Sequence, residues 1–164
     1  MSLRIGLGFD RHRLVPGEGL PLGGLWVPSA NGVDAHSDGD VLLHALVDAL
    51  LGAIGQGDIG DRFPPTEERW KDAASALFLD AVLQDVRPRY RIVNIDATVF
   101  LQSTRLGPHK QSIAESVAKL CDLPSGVVNV KAKTGEAVGP VGTDAAVEAA
   151  VAVLLETAGG MPPH

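Results

Sequence analysis

The sequence predicts an α+β fold in which helices cover one face of a mixed β-sheet. Three segments, at positions 3–10, 90–101 and 128–133, alternate apolar residues with polar residues or glycine, as half-buried strands do. Other segments have apolar residues at helical spacing. Because each strand has one apolar face, one covering layer is enough. At 164 residues the chain suits one domain, predicted to span residues 1–158, with a disordered tail at 159–164.

Composition and charge exclude several classes of protein. A net charge of −6 and only 4% aromatic residues argue against nucleic-acid binding, which normally needs a basic face with stacking rings. We find neither an 18-residue apolar run nor a basic-then-apolar leader, so no membrane partner is expected and the predicted location is cytoplasmic. Cys121 is the single cysteine, which rules out an intrachain disulfide and predicts a buried, inert thiol.

The first strand has large apolar side chains at its odd positions and glycine or aspartate at its even positions. The expected core face consists of Ile5, Leu7 and Phe9. The opposite face is nearly bare of side chains, so a ligand could approach its backbone closely. The next apolar segment, residues 20–27, contains Gly23-Gly24 and predicts a hairpin or a strand extension.

The helix at positions 41–52 is predicted to be buried on nearly all sides, because valine, leucine and alanine dominate it. Asp40, His44 and Asp48 lie at i, i+4 and i+8 and form one polar stripe along it. Asp38 or Asp40 is expected to cap its first turn. Taken alone, His44 is also compatible with a hydrogen-bonded core imidazole.

A metal site is the other interpretation of that stripe. Asp10 and His12 point to the same side of the first strand, because strand side chains alternate. Together with His44 they offer three ligands and leave one coordination position free, which is typical of catalytic zinc. Asp48 is predicted to accept a hydrogen bond from the second ring nitrogen of His44. His36 lies just before the helix cap.

The remaining segments complete the predicted layer. Residues 57–66 form a loop rich in turn residues, of the kind that is often functional or mobile. An amphipathic helix begins at residue 71, ends before Pro88 and is expected to cover the sheet without chemistry. Two more helices are predicted, one ending near Leu123 and one at positions 143–157. The polar faces of the strands at 90–101 and 128–133 could be solvated or could line the interior of an oligomer.

Three motifs carry a resemblance to a known family. They are Arg4-Ile5-Gly6-x-Gly8-Phe9-Asp10-x-His12, Ala35-His36-Ser37-Asp38-Gly39-Asp40-x-x-x-His44 and Gly57-Asp58-Ile59-Gly60. Over essentially its full length the chain resembles the 2-C-methyl-D-erythritol 2,4-cyclodiphosphate synthases of the non-mevalonate isoprenoid pathway. The resemblance implies a homotrimer with active sites between subunits and the uncovered sheet face towards its centre. It also implies Zn²⁺, or another divalent ion, at Asp10, His12 and His44.

The implied reaction is intramolecular. The 2-phosphate of a CDP-linked methylerythritol attacks the β-phosphorus, releases CMP and closes a cyclic diphosphate. Because the nucleophile is already an anion, positioning and countercharge should dominate catalysis. A second divalent ion, Mg²⁺ or Mn²⁺, is implied near Glu136, where it would bridge the diphosphate.

The resemblance also assigns roles to individual residues. His36 and Thr134 would stabilise the transition state, and Ser37 would contact the 2-phosphate. The methylerythritol contacts would come from Asp58, Ile59, Gly60 and Phe63. The cytidine pocket of the adjoining subunit would include Leu101, Arg105, Leu106, Gly107, Ala132, Lys133 and Thr134. Substrate contacts are implied for Asp10, His12 and Glu136 as well.

Some of these residues also have ordinary interpretations. His36 could be a surface loop residue, Asp58 a turn former and Thr134 a hydroxyl at the end of a strand.

The chain departs from the family at several positions. Pro65 replaces a common aspartate, and Lys133 and Gly135 flank Thr134 where threonines are usual. Ser103-Thr104-Arg105 replaces Ala-x-Pro-Lys, so Arg105 is expected to take over the phosphate charge bidentately. Pro140 and Thr143 replace an aromatic residue and an arginine, so no isoprenoid diphosphate is expected in the central channel.

Two other functions fit the same residues. A zinc-dependent phosphohydrolase would use metal-bound water and release a linear product. A trimeric nucleotide-binding relative that has lost turnover would release no CMP.

Overall fold

The computed structural model describes residues 2–64, 66–67, 70 and 73–158, and these residues form a five-stranded sheet covered by helices. The sheet contains β1 (Leu3–Pro16), β4 (Asn31–Asp34), β5 (Tyr90–Phe100), β6 (Val128–Lys133) and β7 (Ala146–Thr157). Its order is β4-β1-β7-β5-β6, and only the β5–β6 pair is parallel. The predicted mixed α+β sheet is confirmed. The tail at 159–164 and Pro65 lie outside the described residues.

Helices cover one face of this sheet. The helices are α1 (Val41–Ile54), α2 (Ile59–Arg62), α3 (Ser75–Val86), α4 (Lys110–Leu120) and α5 (Gly139–Gly142), with a 3-10 turn at Gly107–His109. Of these, α4 packs on β6, whereas α2 and α3 pack against α1. Helix α1 packs on β1 and β7 and is buried at every position except Asp48 and Gly52. Asp40 caps it, accepting a hydrogen bond from the amide of Leu43 at 3.0 Å. The predictions of a buried α1 and of its cap are confirmed.

A hairpin of β2 (Gly19–Leu22) and β3 (Leu25–Pro28) packs beside the sheet. Of the two alternatives predicted for residues 20–27, a hairpin or a strand extension, the structure has the hairpin. Its turn lies at Gly23 and Gly24, whose amides donate to the two carboxylate oxygens of Asp40 at 2.9 and 2.6 Å. The side chain that caps α1 therefore also fixes the hairpin.

Strand β7 corrects the prediction of a helix at 143–157. Its buried residues follow a period of two: Val147, Ala149, Val151, Val153 and Leu155. The intervening residues Ala150, Ala152 and Leu154 are apolar too and half-buried. An apolar run without polar alternation does not distinguish a strand from a helix, and pairing with β1 and β5 on its two sides decides in favour of the strand.

The two faces of β1 are reversed relative to the prediction. Ile5, Leu7 and Phe9, expected in the core, are 70%, 76% and 52% exposed. The glycine face packs under α1 instead, so closely that a Cβ on Gly8 would lie 1.8 Å from the carbonyl oxygen of Ala45. The face is bare because a helix backbone occupies it, and Asp10 and His12 continue this face towards α1.

The uncovered face of the sheet changes from apolar to polar across its width. Next to the apolar stripe of β1 lie the alanines of β7, and beyond them the polar residues of β5 and β6. On this polar side, Asp96 accepts hydrogen bonds from Asn129 and Lys131.

The two helices predicted between residue 71 and Leu123 are both present, as α3 and α4. Helix α3 begins at Ser75, later than expected, and its inner face contains Phe78, which is buried, and not Leu77, which is 57% exposed. After α4, Cys121 is buried as predicted, and burial raises the pKa of its thiol to about 12. Among the described residues, no helix combines the length and apolar character that crossing a membrane requires.

Candidate metal centre and adjoining pockets

Two ligands from β1 and one from α1 converge as predicted. The distance from His12 Nε2 to His44 Nδ1 is 3.0 Å, and Asp10 Oδ2 lies 3.1 Å from His44 Nδ1 and 3.2 Å from His12 Nε2. Within the part of the chain that the structure describes, these residues form a group that could hold a metal ion. The close packing of α1 on the glycine face of β1 brings His44 within reach of the strand.

The donor set fits a divalent cation. Tetrahedral zinc with bonds of about 2.0–2.1 Å places neighbouring ligand atoms about 3.3 Å apart, close to the observed triangle of donors. Two imidazoles and one carboxylate are common ligands of zinc. Burial is the largest influence on His12 and lowers the pKa of its ring, which favours the neutral form that a metal requires.

A cavity of about 310 Å³ adjoins the two histidines of this group. The predicted site residues that line it with His12 and His44 are His36, Ser37, Ile59, Gly60 and Phe63. Asp58 lies just before this segment and caps α2, accepting from the amide of Asp61 at 2.9 Å. In this chain, therefore, Asp58 does form a turn, in agreement with its ordinary interpretation.

Three aromatic rings form the apolar wall of the cavity. Phe63, Trp70 and Phe78 contact one another with ring centroids 4.8 to 5.5 Å apart. Of these three rings only Phe63 was predicted as a site residue. Phe78 belongs to a helix that was expected to lack a chemical role, and Trp70 precedes that helix. Helix α3, which was expected only to cover the sheet without chemistry, lies at this site, since Phe78 lines the cavity and Ser75 contacts His44.

The second ring nitrogen of His44 faces hydroxyl groups and not Asp48. Nε2 lies 2.8 Å from Ser75 Oγ and 3.2 Å from Ser37 Oγ. Asp48 instead accepts the amide of Ile59 at 2.8 Å, and burial raises the pKa of its carboxyl group. The prediction for Asp48 is wrong because an i+4 spacing places two side chains on one helix face without fixing which way the ring turns.

A second pocket, of about 450 Å³, lies where β5 and β6 end. All seven residues predicted for the nucleotide line it: Leu101, Arg105, Leu106, Gly107, Ala132, Lys133 and Thr134. Lys110, which was not predicted as a site residue, adds a third cation. Beside the pocket, Thr134 Oγ1 donates to Glu136 Oε1 at 2.6 Å.

The two pockets remain separate within one chain. The residues that line the first cavity include none of those that line the second. Accordingly, the structure groups His36 with the metal ligands, and it does not bring Thr134 into the same cavity. The cations and the Thr134 hydroxyl group of the second pocket suit a ligand that carries phosphate.

Comparison with known proteins gives a consistent result. The YgbB family model matches residues 3–156. The 2-C-methyl-D-erythritol 2,4-cyclodiphosphate synthase of Koribacter versatilis is 46% identical over 155 residues, covering 94% of this chain and 98% of that protein. A structure of 2C-methyl-D-erythritol-2,4-cyclodiphosphate synthase in a CDP-bound form superposes with a TM-score of 0.85 at 40% identity, covering 93% of this chain and 100% of that chain.

A longer protein contains the same fold. The bifunctional IspDF from Campylobacter jejuni superposes with a TM-score of 0.90 at 38% identity, and the match covers 95% of this chain and 42% of that one. The family match over nearly the whole sequence agrees with the site geometry. The chain therefore belongs to the YgbB family, the family of the 2-C-methyl-D-erythritol 2,4-cyclodiphosphate synthases.

Proposed function

We propose that the chain converts 4-diphosphocytidyl-2-C-methyl-D-erythritol 2-phosphate to 2-C-methyl-D-erythritol 2,4-cyclodiphosphate and CMP, with residues 1–158 as the catalytic domain. The observation that carries this proposal is the open-sided group of Asp10, His12 and His44 beside a cavity that also presents His36 and Ser37. Asp10, His12 and His44 would hold a divalent ion, and His36 and Ser37 would add two hydrogen-bonding side chains for one phosphoryl group.

The residues of the first cavity act by positioning. The attacking 2-phosphate is already an anion, so no side chain has to remove a proton from it. Ser37 and His36 are placed to donate hydrogen bonds to phosphate oxygens as the phosphorus gains a fifth ligand. When bound at Asp10, His12 and His44, Zn²⁺ or another divalent ion supplies Lewis-acid countercharge to a phosphoryl oxygen.

The aromatic wall favours cyclisation over hydrolysis. Phe63 and Phe78 are 7% and 5% exposed, and with Trp70 they form one side of the cavity beside His44. An apolar surface next to the reacting phosphates limits the water that could compete with the 2-phosphate as nucleophile. The methylerythritol carbons would pack on this surface, and the segment from Asp58 to Gly60 would contact its hydroxyl groups.

The second pocket is assigned to the cytidine diphosphate part of the substrate. Arg105 and Lys133 provide positive charge in an otherwise acidic protein, and Thr134 provides a hydroxyl group. Glu136 would provide a carboxylate ligand for Mg²⁺ or Mn²⁺, which would supply countercharge to the diphosphate. The CDP-bound form of a 40% identical relative supports a nucleotide-linked substrate.

A homotrimer would unite the two pockets, with the metal pocket of one subunit facing the nucleotide pocket of its neighbour. The support is the apolar stripe on β1, where Leu3, Ile5, Leu7 and Phe9 are 52% to 76% exposed in a chain that buries most of its other large apolar side chains. Contiguous apolar surface of this kind is typical of subunit contacts. The uncovered sheet face would then point to the centre of the trimer.

The reaction is tested by incubating the protein with Mg²⁺, Zn²⁺ and the CDP-linked substrate in H₂¹⁸O. Phosphorus NMR should show CMP and a cyclic diphosphate in equal amounts, with no ¹⁸O in either product. A linear product carrying ¹⁸O would identify a phosphohydrolase. Failure to release CMP, with nucleotide still bound, would identify a binding protein without turnover.

The shared site is tested by mixing two variants that each have at most about one hundredth of the wild-type turnover. His44→Ala removes a residue of the metal pocket and Thr134→Val removes one of the nucleotide pocket. If neighbouring subunits share each site, trimers re-formed from an equal mixture should recover about one quarter of the wild-type activity, because about one site in four joins two intact halves. No recovery from re-formed mixed trimers would contradict the shared site.

A further inference from the structure

We propose that Asp38 and Ser75 are positioning residues that fix which nitrogen of His44 carries the proton and hold its ring towards the metal position. The inference rests on the metal site of the proposed function. It concerns the side of the imidazole that faces away from Asp10 and His12. We refer to the chain of contacts from Asp38 through Ser75 to His44 as the relay.

Asp38 acts as an acceptor through both carboxylate oxygens. Oδ2 accepts the backbone amide of Ser75 at 3.0 Å, and Oδ1 accepts the amide of Asp40 at 3.2 Å. The hydroxyl group of Ser75 also donates to Oδ1. Since all three contacts bring protons to the carboxylate, Asp38 has no proton to offer Ser75.

The direction of the next hydrogen bond follows from this arrangement. A serine hydroxyl has one proton, and Ser75 uses it on Asp38, so its oxygen can only accept from His44 Nε2 at 2.8 Å. Nε2 must therefore carry hydrogen. In a neutral imidazole the other nitrogen, Nδ1, then has a free lone pair, and Nδ1 is the atom that lies 3.1 Å from Asp10 Oδ2.

The relay is rigid at the point where it contacts the ring. Ser75 is fully buried and is the first residue of α3, and the amide of Asp38 donates to the carbonyl of Ala73 just before that helix at 3.2 Å. The contacts that place the start of α3 against the loop before α1 thus also hold the hydroxyl group. Hydrogen-bonded carboxylates behind a ligand histidine commonly set its tautomer and orientation.

Other partners of His44 are less suited to this task. Ser37 Oγ is farther from Nε2, at 3.2 Å, and it already accepts the amide of Gly39 at 3.2 Å. Its hydroxyl proton has no carboxylate acceptor in these contacts, so the proton remains available for a substrate phosphate. Asp48 is directed to the amide of Ile59.

The central test is Asp38→Asn. An asparagine can turn its amide N–H towards Ser75, which frees the hydroxyl proton to point at Nε2 and favours hydrogen on Nδ1, the metal-binding atom. We expect the zinc affinity, measured by competition with a chelator, to fall about 10- to 100-fold. Ser75→Ala should weaken zinc binding as well. The matched control is Asp48→Asn, which should leave zinc affinity unchanged.

The tautomer itself is read from ¹⁵N NMR of the imidazole in metal-free protein at about pH 8, where an ordinary imidazole is neutral. The wild type should carry hydrogen on Nε2 of His44, and Asp38→Asn should shift it towards Nδ1. Thermal unfolding without zinc shows whether each variant folds. If Asp38→Asn does not fold, the zinc affinity of Ser75→Ala is compared with that of the wild type instead.

The outcomes separate the relay from the proposed function. Hydrogen on Nδ1 in the wild type, or equal zinc affinity for wild type and Asp38→Asn, would overturn the relay even if the enzyme cyclises its substrate. If the wild type carries hydrogen on Nε2 of His44 but binds no zinc, the metal site of the proposed function is contradicted.

Discussion

The metal pocket and the nucleotide pocket are built in opposite ways. In the metal pocket, His44 lies on a buried helix and is 8% exposed, and its ring has hydrogen-bonding partners on both sides. In the nucleotide pocket, Arg105, Lys110 and Lys133 are exposed and lie in or beside loops at the ends of strands. The first pocket is therefore organised before any ligand arrives, whereas the second relies on charges that water and salt screen.

The largest effect is expected from His44→Ala. The variant should lose bound zinc and all measurable turnover, because two remaining ligands do not hold the ion in an open-sided site. Elemental analysis and CMP release are the measurements, with circular dichroism to confirm folding. His36→Ala is the matched control for zinc content alone, since it removes a histidine from the same cavity without removing a ligand. Zinc retained by His44→Ala at the wild-type level would contradict the assignment.

Gly8→Ala should damage the metal pocket from a distance. Its new methyl group would overlap the carbonyl of Ala45 and force α1 away from β1, which separates His44 from the strand ligands. We expect a loss of about 3 kcal/mol or more in unfolding free energy, together with weaker zinc binding.

Gly52→Ala in α1 is the control for this change, because nothing lies within 4 Å of the added carbon. It should stabilise the protein by about 0.5–1 kcal/mol, since alanine favours a helix more than glycine does. Urea unfolding measures both variants. Equal stability of the two would show that the close packing of α1 on β1 is unimportant.

Thr134→Val tests the hydroxyl group at the edge of the nucleotide pocket. The substitution keeps the side-chain shape and removes the donor, so turnover should fall about 100-fold while zinc content stays normal. Single-turnover kinetics and elemental analysis provide the two measurements. Unchanged turnover would remove Thr134 from the mechanism.

The smallest effect is expected from Arg105→Ala. Loss of one exposed cation should raise KM for the CDP-linked substrate about tenfold, with kcat nearly retained, and the difference should shrink as salt increases. Lys119→Ala, an exposed lysine of α4 outside the pocket, is the control. A large fall in kcat with an unchanged KM would mean that the nucleotide pocket is more rigidly organised than its exposure suggests.

The sequence was sufficient for the parts of the fold where apolar and polar residues alternate clearly. The sequence patterns of β5 and α1 are each compatible with only one kind of secondary structure. The convergence of Asp10, His12 and His44 followed from the period of two in β1 and the helical period in α1. Strand β7 was predicted as a helix because apolar residues occupy both of its faces. Its conformation depends on pairing with β1 and β5, which lie far away in the sequence.

Two features of the site depended on packing that no local pattern reveals. The glycines of β1 indicated a close approach, but the sequence did not say whether a ligand or a helix makes it. Ser75 reaches His44 only because α3 begins beside the loop that contains Asp38, 37 residues away in sequence. The sequence spacing of Asp38 and Ser75 therefore could not predict the relay.

The buried Cys121 makes the chain convenient for spectroscopic labelling. A thiol that is 3% exposed and has a pKa of about 12 is almost entirely protonated near neutral pH, so maleimide reagents should leave it unmodified in the folded protein. A cysteine introduced in the nucleotide loop would then be the principal attachment point for a fluorophore. The native sequence thus permits single-dye reporters of substrate binding without first removing a thiol.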